Sequence, residues 1–272
     1  MAAPDPGELM RWPADDILGL MRVIDAMPGR RVQVPGTLNF RDAGGYPAAG
    51  GGAVGWRRLL RSDALHRLDG TAADVLGPLG LRTVLDLRTS YEADLAPSPL
   101  DDLARLGALT MHVSLIGEDL GAMPAELGDI YDYVVDERGA VIGSAIRSLA
   151  RPGALPGLVH CTAGKDRTGI VVAFALAAIG VPDHIVAADY ALSSLYLDPQ
   201  HTPTIGHVQE STGLGDRLTA ALLASPPELM LRVLERARRG GGSVEGYLAR
   251  YGVTAAELGA LRSALLPDWP AT

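Results

Sequence analysis

The chain has 272 residues, of which 47% are hydrophobic and 21% are charged, so it can bury a sizeable core and has the composition of an ordinary globular protein. Its formal net charge of −8 argues against nucleic acid as a general partner but allows a locally positive site for an anionic substrate. No run approaches the roughly 18 apolar residues of a membrane span, and the N-terminus lacks a basic region, so we expect a cytoplasmic protein without stable membrane insertion; export without a signal peptide stays open.

Residues 1–35 predict a helical preface to the main body. Their apolar side chains recur at helical spacing: Ile17, Leu18, Leu20, Met21 and Ile24. This spacing indicates one amphipathic helix packed on the core.

Short apolar runs then alternate with helical patterns. Four runs predict strands, at residues 56–61, 83–87, 109–115 and 158–161. Residues 71–79 predict a short helix, with Thr71 and Asp74 spaced as a capping box, and residues 127–149 predict helices that Gly139 interrupts. The alternation argues for an α/β sandwich with a mainly parallel central sheet flanked by helices.

The last third of the chain is helical in pattern. Asp183 can cap one helix. Residues 198–252 begin with a stretch punctuated by proline and glycine and continue with an apolar stripe: Leu229, Met230, Val233, Leu234 and Ala237. Residues 253–272 hold a final helix, because Thr254 and Glu257 form the pattern of a capping box.

Residues 160–169, with the sequence HCTAGKDRTG, hold the only cysteine and the only lysine of the chain, Cys161 and Lys165; every other basic residue apart from histidine is arginine. The apolar run before them predicts a buried strand, and residues 170–179 predict a buried helix. A strand, a tight loop and a helix N-terminus aim backbone N–H groups and the helix dipole at one point. The stretch therefore predicts a binding site for a phosphate dianion.

Three side chains of this loop can carry phosphoryl transfer. Cys161 supplies a nucleophile, because helix N-termini and neighbouring cations stabilise thiolates. Arg167 can bind two phosphate oxygens with its planar fork. Asp166 places a carboxyl group at the rim, where an acid must protonate the departing oxygen. The other loop residues form the predicted substrate-binding surface: Thr162, Ala163, Gly164, Lys165, Thr168 and Gly169.

The loop resembles the HC-x5-R signature, followed by Ser or Thr, of cysteine-dependent protein tyrosine phosphatases. The residues between the fixed positions of this signature are similar to those of a bacterial branch of the family, which is typified by a mycobacterial triple-specificity protein and lipid phosphatase. Residues 36–46, with the sequence GTLNFRDAGGY, and residues 60–65 and 84–88 resemble further landmarks of the branch in the same order. The resemblance covers about residues 36–197 and implies a cysteine-phosphatase core there.

The resemblance implies hydrolysis of phosphate monoesters through a cysteinyl-phosphate, without metal or other cofactor and with inorganic phosphate as product. The implied partner is a phosphorylated protein, foremost one with phosphotyrosine, with phosphoserine, phosphothreonine and phosphoinositides as further substrates. Lys165 stands where phosphatases that accept phosphoinositides carry lysine. Helices within residues 198–252 would cover the site as a lid, and an ordinary helical layer is the alternative.

Several residues outside the loop are candidates for supporting roles. Asp86 ends a strand where α/β folds place ligands, so it is either a site residue, including an alternative acid to Asp166, or a structural carboxylate paired with an arginine. Arg41 and Asp42, with Asn39, predict a hydrogen-bonded brace beneath the loop, and direct substrate contact is the alternative. His160 is expected to order the loop rather than transfer protons.

The sequence argues against several other kinds of site and leaves two other functions open. One cysteine cannot form a zinc–thiolate cluster or an internal disulfide, and Asp166 after Gly164-Lys165 breaks the Walker pattern. Residues 12–15 spell WPAD, close to the acid loop of classical tyrosine phosphatases, but lie almost 150 residues before Cys161 rather than a few tens, so we interpret them as a coincidence. A phosphatase specialised for a sugar or nucleoside phosphate stays open, as does a phosphate-binding module without turnover. The sequence does not indicate an oligomeric state.

Overall fold

The computed structural model describes residues 5–118, 124, 126–197 and 224–267. A five-stranded sheet in the order β1-β2-β5-β3-β4 forms the centre of the described part. All neighbouring strands are parallel except β1 and β2, which are antiparallel. The strands are β1 (Arg41–Asp42), β2 (Leu59–Ser62), β3 (Thr83–Asp86), β4 (Leu109–His112) and β5 (Gly157–His160). The predicted α/β fold with a mainly parallel sheet is confirmed.

Helices flank the sheet and continue after it. Before β5 they are α1 (Pro6–Met10), α2 (Ile17–Asp25), α3 (Ala73–Leu76), α4 (Ser90–Leu95), α5 (Leu100–Arg105), α6 (Leu127–Glu137) and α7 (Gly139–Ala150). After β5 they are α8 (Asp166–Ala178), α9 (Asp183–Tyr196), α10 (Pro227–Gly241), α11 (Val244–Arg250) and α12 (Ala255–Leu265). Short 3-10 turns at Gly70–Ala72 and Gly77–Leu79 flank α3.

Strand β5 positions the site because it lies between β2 and β3 and is parallel to both. Its last residue, His160, stands opposite Ser62 of β2 and Asp86 of β3. The carboxyl ends of parallel strands share one edge of a sheet, which is where α/β folds bind ligands. The chain therefore leaves β5 at Cys161 in the middle of that edge.

Helix α8 is buried from Thr168 to Ala178, which explains why its sequence is apolar on all sides. Helices α7, α9, α10, α11 and α12 all pack against it. The ring of Phe174 in α8 lies 5.1 Å from the ring of Tyr247 in α11. This enclosure holds the N-terminus of α8, and with it the end of the predicted phosphate loop, in a fixed place.

Helices α6 and α7 are separated near Gly139, as the sequence predicts. A Cβ atom on Gly139 would lie 2.1 Å from the ring of Tyr251. Glycine is required here because α7 begins against that ring.

Two predicted elements differ from the structure. The strand predicted at residues 56–61 begins only at Leu59, because Arg57 adopts φ 63° and forms a turn. The N–H of Arg57 donates to Asp42 Oδ2 at 2.7 Å. The helix predicted at residues 71–79 is the four-residue helix α3 between two 3-10 turns. Its first turn is capped by Asp69, which accepts from the N–H of Thr71 at 2.8 Å, and not by Thr71. The capping box of Thr254 and Glu257 is confirmed.

The segment 198–252 is described only from residue 224. There α10 inserts four residues into the main core: Met230, Val233, Leu234 and Ala237. Residues 198–223, the first part of the lid predicted for residues 198–252, lie outside the described residues, and the lid stays a prediction. Within the described ranges, no helix has both the length and the apolar character needed to cross a membrane.

Candidate active site

The predicted phosphate loop runs from the end of β5 to the start of α8. Cys161 is a free thiol and is only 2% exposed. The loop turns at Gly164, which has φ 67° and whose Cβ, if present, would lie 2.3 Å from the carbonyl oxygen of Ser62. Only glycine meets both conditions. The loop therefore lies directly on β2, with the thiol buried beneath it.

Arg167 is held by Glu92 of α4 in a forked ion pair. Its Nη2 donates to Glu92 Oε1 at 2.7 Å, and its Nη1 donates to Oε2. Burial alone would raise the pKa of Glu92, but the charge and hydrogen bonds of Arg167 prevail and lower it to about 2. Burial opposes the charge of Arg167 as well, and Glu92 nevertheless raises the pKa of Arg167. The guanidinium is therefore charged and fixed against the carboxylate by two hydrogen bonds.

Glu92 also joins α4 to the loop. Its Oε1 accepts from Thr162 Oγ1 at 2.6 Å, and its Oε2 accepts from the N–H and the hydroxyl of Thr89 at 2.9 and 3.0 Å. Thr89 and Glu92 form the capping box of α4. One carboxylate thus fixes the start of a helix, the second residue of the loop and the fork of Arg167.

Asp166 is the first residue of α8, and its side chain is 31% exposed. Its Oδ1 accepts from the hydroxyl of Tyr131 at 2.6 Å and lies 3.2 Å from Nζ of Lys165. An acidic residue at this position also interacts favourably with the helix dipole. The structure thus places a partly exposed carboxyl group where the loop joins α8.

Comparison with known proteins decides the family. Residues 32–267 match the tyrosine phosphatase family. The chain belongs to this family. It is 30% identical to "Triple specificity protein phosphatase PtpB" of Mycobacterium tuberculosis over 277 residues, which cover 86% of this chain and 98% of that protein. It is also 30% identical to a "Tyrosine-protein phosphatase" of Nostoc commune over 233 residues, covering 79% of this chain and 76% of that protein. The protein is a phosphomonoesterase of the tyrosine phosphatase type, which acts on a phosphorylated substrate and releases phosphate.

Lys165 of the phosphatase points into the protein. It is 1% exposed, and its Nζ donates to the carbonyl oxygen of Ala224 at 2.7 Å in addition to its ion pair with Asp166. Ala224 immediately precedes Ser225, whose N–H and hydroxyl bind Ser194 Oγ and the Ala191 carbonyl of α9. The lysine ammonium is therefore shared between the loop and the chain that leads into α10.

A buried polar network lies beneath the loop. Arg61 donates to the carbonyl oxygens of Gly164 and Lys165 at 2.8 and 3.3 Å and to Asp189 Oδ2 at 2.6 Å. Asn39 Nδ2 donates to the carbonyl of Ala163 at 2.9 Å. These bonds satisfy three loop carbonyls and hold the loop against the residues beneath it.

Arg41 supports this network from below. Its Nη1 donates to Asn39 Oδ1, and its Nη2 donates to Ser193 Oγ at 3.0 Å and to the Asp189 carbonyl at 2.9 Å. Burial would raise the pKa of Asp189, but the charges of Arg61 and Arg41 lower it. The same burial, together with repulsion from Arg61, lowers the pKa of Arg41 to about 10. The structure places Arg41 and Asn39 in a brace beneath the loop.

Asp42 is not part of that brace. Its Oδ1 accepts from the N–H of Gly44 at 2.8 Å, and its Oδ2 accepts from the N–H of Arg57. Burial raises the pKa of Asp42. Although Asp42 follows Arg41 in the sequence, alternate residues of a strand face opposite sides, so its carboxylate fixes the turn before β2 rather than the loop.

Asp86 forms a closed ion pair with Arg88. Its Oδ1 accepts from Arg88 Nε at 2.9 Å and its Oδ2 from Nη2 at 2.7 Å. Burial would raise the pKa of Asp86, but His160 and Arg88 lower it to about 2. Burial lowers the pKa of His160. These contacts agree with the structural alternative for Asp86.

His160 and Thr168 lie on either side of the thiol in the sequence, and both are fully buried. His160 Nδ1 lies 3.4 Å from the carbonyl oxygen of Cys161, and its Nε2 lies 3.7 Å from Asp86 Oδ2. In the described part of the chain, the hydroxyl of Thr168 has no hydrogen-bond partner. It is thus free to donate within the loop.

Sequence reasoning assigned no role at the site to Glu92, Tyr131, Arg61 or Tyr190. The Thr89–Glu92 spacing is that of a capping box and could have located the start of α4. Nothing in that spacing indicates that Glu92 faces an arginine 75 residues later in the chain.

Proposed function

We propose that this phosphatase hydrolyses phosphate monoesters through a cysteinyl-phosphate on Cys161, chiefly on proteins that carry phosphotyrosine. The observation that supports this most strongly is the position of Arg167. Glu92 fixes its guanidinium, and a thiolate on Cys161 would raise its pKa further. The Cys161 thiol and the Arg167 guanidinium can therefore interact with the same phosphoryl group at the N-terminus of α8.

In the first half of the reaction, the Cys161 thiolate attacks phosphorus in line with the leaving oxygen. The S–P bond forms as the P–O bond breaks, and Asp166 gives its proton to the departing oxygen. Arg167 and the loop N–H groups stabilise the charge on the equatorial oxygens. Thr168, whose hydroxyl is free of other partners within the described residues, donates to sulfur.

In the second half, water attacks the phosphorus of the cysteinyl-phosphate. Asp166, now a carboxylate, takes a proton from that water, the S–P bond breaks and phosphate leaves. Thr168 stabilises the departing thiolate. The loop returns to its starting protonation state, so the cycle is balanced without a further reactant.

The preference for phosphotyrosine is supported by the buried nucleophile. Cys161 is 2% exposed, so a substrate must present its phosphate on a long, slender group to reach sulfur. Both relatives described above carry tyrosine or triple specificity phosphatase in their names. We propose phosphoserine, phosphothreonine and monophosphorylated phosphoinositides as secondary substrates, the last through Lys165.

The covalent step is tested by Cys161→Ser assayed on p-nitrophenyl phosphate in the presence of a chelator. We expect turnover to be abolished while the folded variant still binds vanadate or phosphate. Wild-type protein quenched in acid during turnover should carry a phosphoryl group on the peptide that contains Cys161. Appreciable hydrolysis by Cys161→Ser would refute the covalent mechanism.

The assignment of the acid is tested by Asp166→Asn and Asp86→Asn on esters with good and poor leaving groups. We expect Asp166→Asn to slow alkyl phosphates more than aryl phosphates, because a poor leaving group needs the proton more. Asp86→Asn should show no such dependence, since Asp86 is paired with Arg88. The opposite pattern would move the acid to Asp86. A panel of phosphopeptides, phosphoinositides and sugar phosphates then ranks the substrate classes.

A further inference from the structure

Tyr131 contributes a buried hydroxyl to the candidate acid from outside the loop. It lies on α6, is fully buried, and places its hydroxyl oxygen 2.6 Å from Asp166 Oδ1. The hydroxyl oxygen of Tyr190, on α9, lies 2.8 Å from that of Tyr131. Asp166, Tyr131 and Tyr190 thus form one line of hydrogen bonds.

The direction of this line follows from counting hydrogens. A phenol has a single hydroxyl hydrogen, and a carboxylate is a stronger acceptor than another phenol. Tyr131 therefore donates to Asp166 and accepts from Tyr190. Burial first, and then the charge of Asp166, raise the pKa of Tyr131 well above its usual value of 10, so it remains a donor throughout the pH range in which proteins are folded.

The two oxygens of Asp166 differ in their surroundings. Oδ1 receives the Tyr131 hydrogen bond and lies 3.2 Å from Lys165 Nζ. Within the described residues, no group binds Oδ2. When Asp166 is neutral, its carbonyl oxygen is therefore Oδ1 and its transferable proton is on Oδ2.

We propose that Tyr131 is a positioning residue for the general acid: with Tyr190 behind it, its hydroxyl holds Asp166 Oδ1 so that Oδ2 presents the proton to the leaving group. The inference rests on the proposed role of Asp166. In the first half-reaction the proton passes from Oδ2 to the leaving oxygen as the P–O bond breaks. In the second half-reaction Oδ2 takes a proton from the attacking water. Tyr131 stays protonated in both.

Packing around the two phenols keeps the line rigid. Their rings meet edge to face, with centroids 6.2 Å apart and an interplanar angle of 77°. Gly169, the last residue of the signature, makes room for this contact, because a Cβ there would lie 2.8 Å from the ring of Tyr190. The absence of a side chain at Gly169 therefore allows the ring of Tyr190 to pack against the signature.

The test is Tyr131→Phe in the full chain, with kcat and KM measured on an alkyl phosphate and on p-nitrophenyl phosphate. We expect kcat on the alkyl ester to fall on the order of tenfold, as for loss of one neutral hydrogen bond, with a smaller loss on the aryl ester and little change in KM. Tyr190→Phe should show the same dependence on the leaving group with a smaller loss. Tyr133→Phe, on the same helix and half-buried, is the matched control and should be unchanged.

The decisive measurement repeats Tyr131→Phe in the Asp166→Asn background. Because the proposed effect passes through Asp166, Tyr131→Phe should cause no further loss there. The same fractional loss in both backgrounds, or equal losses on both esters, would show that Tyr131 only stabilises the fold and would overturn the inference. If Tyr131→Phe lowers the melting temperature so far that kinetics cannot be read, Tyr190→Phe alone must show the leaving-group dependence. Asp166→Asn without any leaving-group dependence would instead refute the acid assignment itself, and the positioning role with it.

Discussion

Replacing Glu92 by glutamine should show whether the negative charge of Glu92, rather than its size, holds the guanidinium of Arg167. A pKa of about 2, against 4.5 for an ordinary glutamate, corresponds to roughly 3 kcal/mol in favour of the charged carboxylate in the folded protein. Glutamine keeps the volume and one acceptor oxygen but leaves Arg167 without its counter-ion. We expect Glu92→Gln to lower the free energy of unfolding at neutral pH by about 2–4 kcal/mol and kcat/KM roughly 10–100-fold.

The stability difference should depend on pH with a defined sign. Since the folded-state pKa of Glu92 lies below its unfolded value, its contribution is complete above pH 4.5 and is lost as the pH falls toward 2. The unfolding free energies of wild type and Glu92→Gln should therefore converge across that range. Denaturant unfolding at a series of pH values, with activity measured near neutrality, supplies both readouts.

Glu257→Gln is the matched control for this experiment. Glu257 caps α12 through Thr254, as Glu92 caps α4 through Thr89, but it is half-buried and, among the described contacts, has none with Arg167. Its replacement should leave kcat/KM unchanged. If Glu92→Gln behaved like Glu257→Gln in both activity and pH dependence, Glu92 would be only a helix cap and the fork of Arg167 would need another explanation.

Three further changes test the loop. Gly164→Ala should abolish most activity and lower the melting temperature, because its Cβ would lie 2.3 Å from the Ser62 carbonyl. Gly153 has φ 75° and open space around it, so Gly153→Ala controls for backbone strain alone. Equal effects of the two substitutions would refute the steric argument. Arg61→Lys should lower kcat/KM on every substrate alike, since an ammonium cannot reach Asp189 and two loop carbonyls together; wild-type kinetics would show that the loop needs no support there. Lys165→Ala should reduce phosphoinositide hydrolysis several-fold more than phosphotyrosine hydrolysis, because a ring phosphate must replace the Ala224 carbonyl at Nζ; equal losses would leave Lys165 a role in loop shape only.

The strand, loop and helix that carry the signature could be predicted because the information is local. A buried strand, a glycine turn and an apolar helix lie within about 25 consecutive residues, and each has a clear pattern. The parallel sheet followed from the alternation of strands and helices. What could not be predicted is which distant side chains meet the loop, because that depends on how α4, α6 and α9 are oriented around it.

Asp42 shows the limit of reasoning from neighbours in sequence. It adjoins Arg41, and both were expected in one brace. In a strand, however, successive side chains point to opposite sides. Arg41 reaches Ser193 and the Asp189 carbonyl, whereas Asp42 binds the N–H groups of Gly44 and Arg57. A two-residue strand was too short to show this alternation in the sequence.

Part of the excess of arginine over lysine has a structural role that composition alone did not show. Four arginines are among the largest fully buried side chains: Arg30, Arg41, Arg61 and Arg88. Each donates to at least one backbone carbonyl, and Arg61 binds two carbonyls of the loop while it pairs with Asp189. A guanidinium has five N–H donors in a plane, against three on an ammonium, so it can join more fixed acceptors at once. Buried guanidinium groups thus bind backbone carbonyls in the interior of the protein. The lysine ammonium, that of Lys165, lies in the loop between the Ala224 carbonyl and the carboxylate of Asp166.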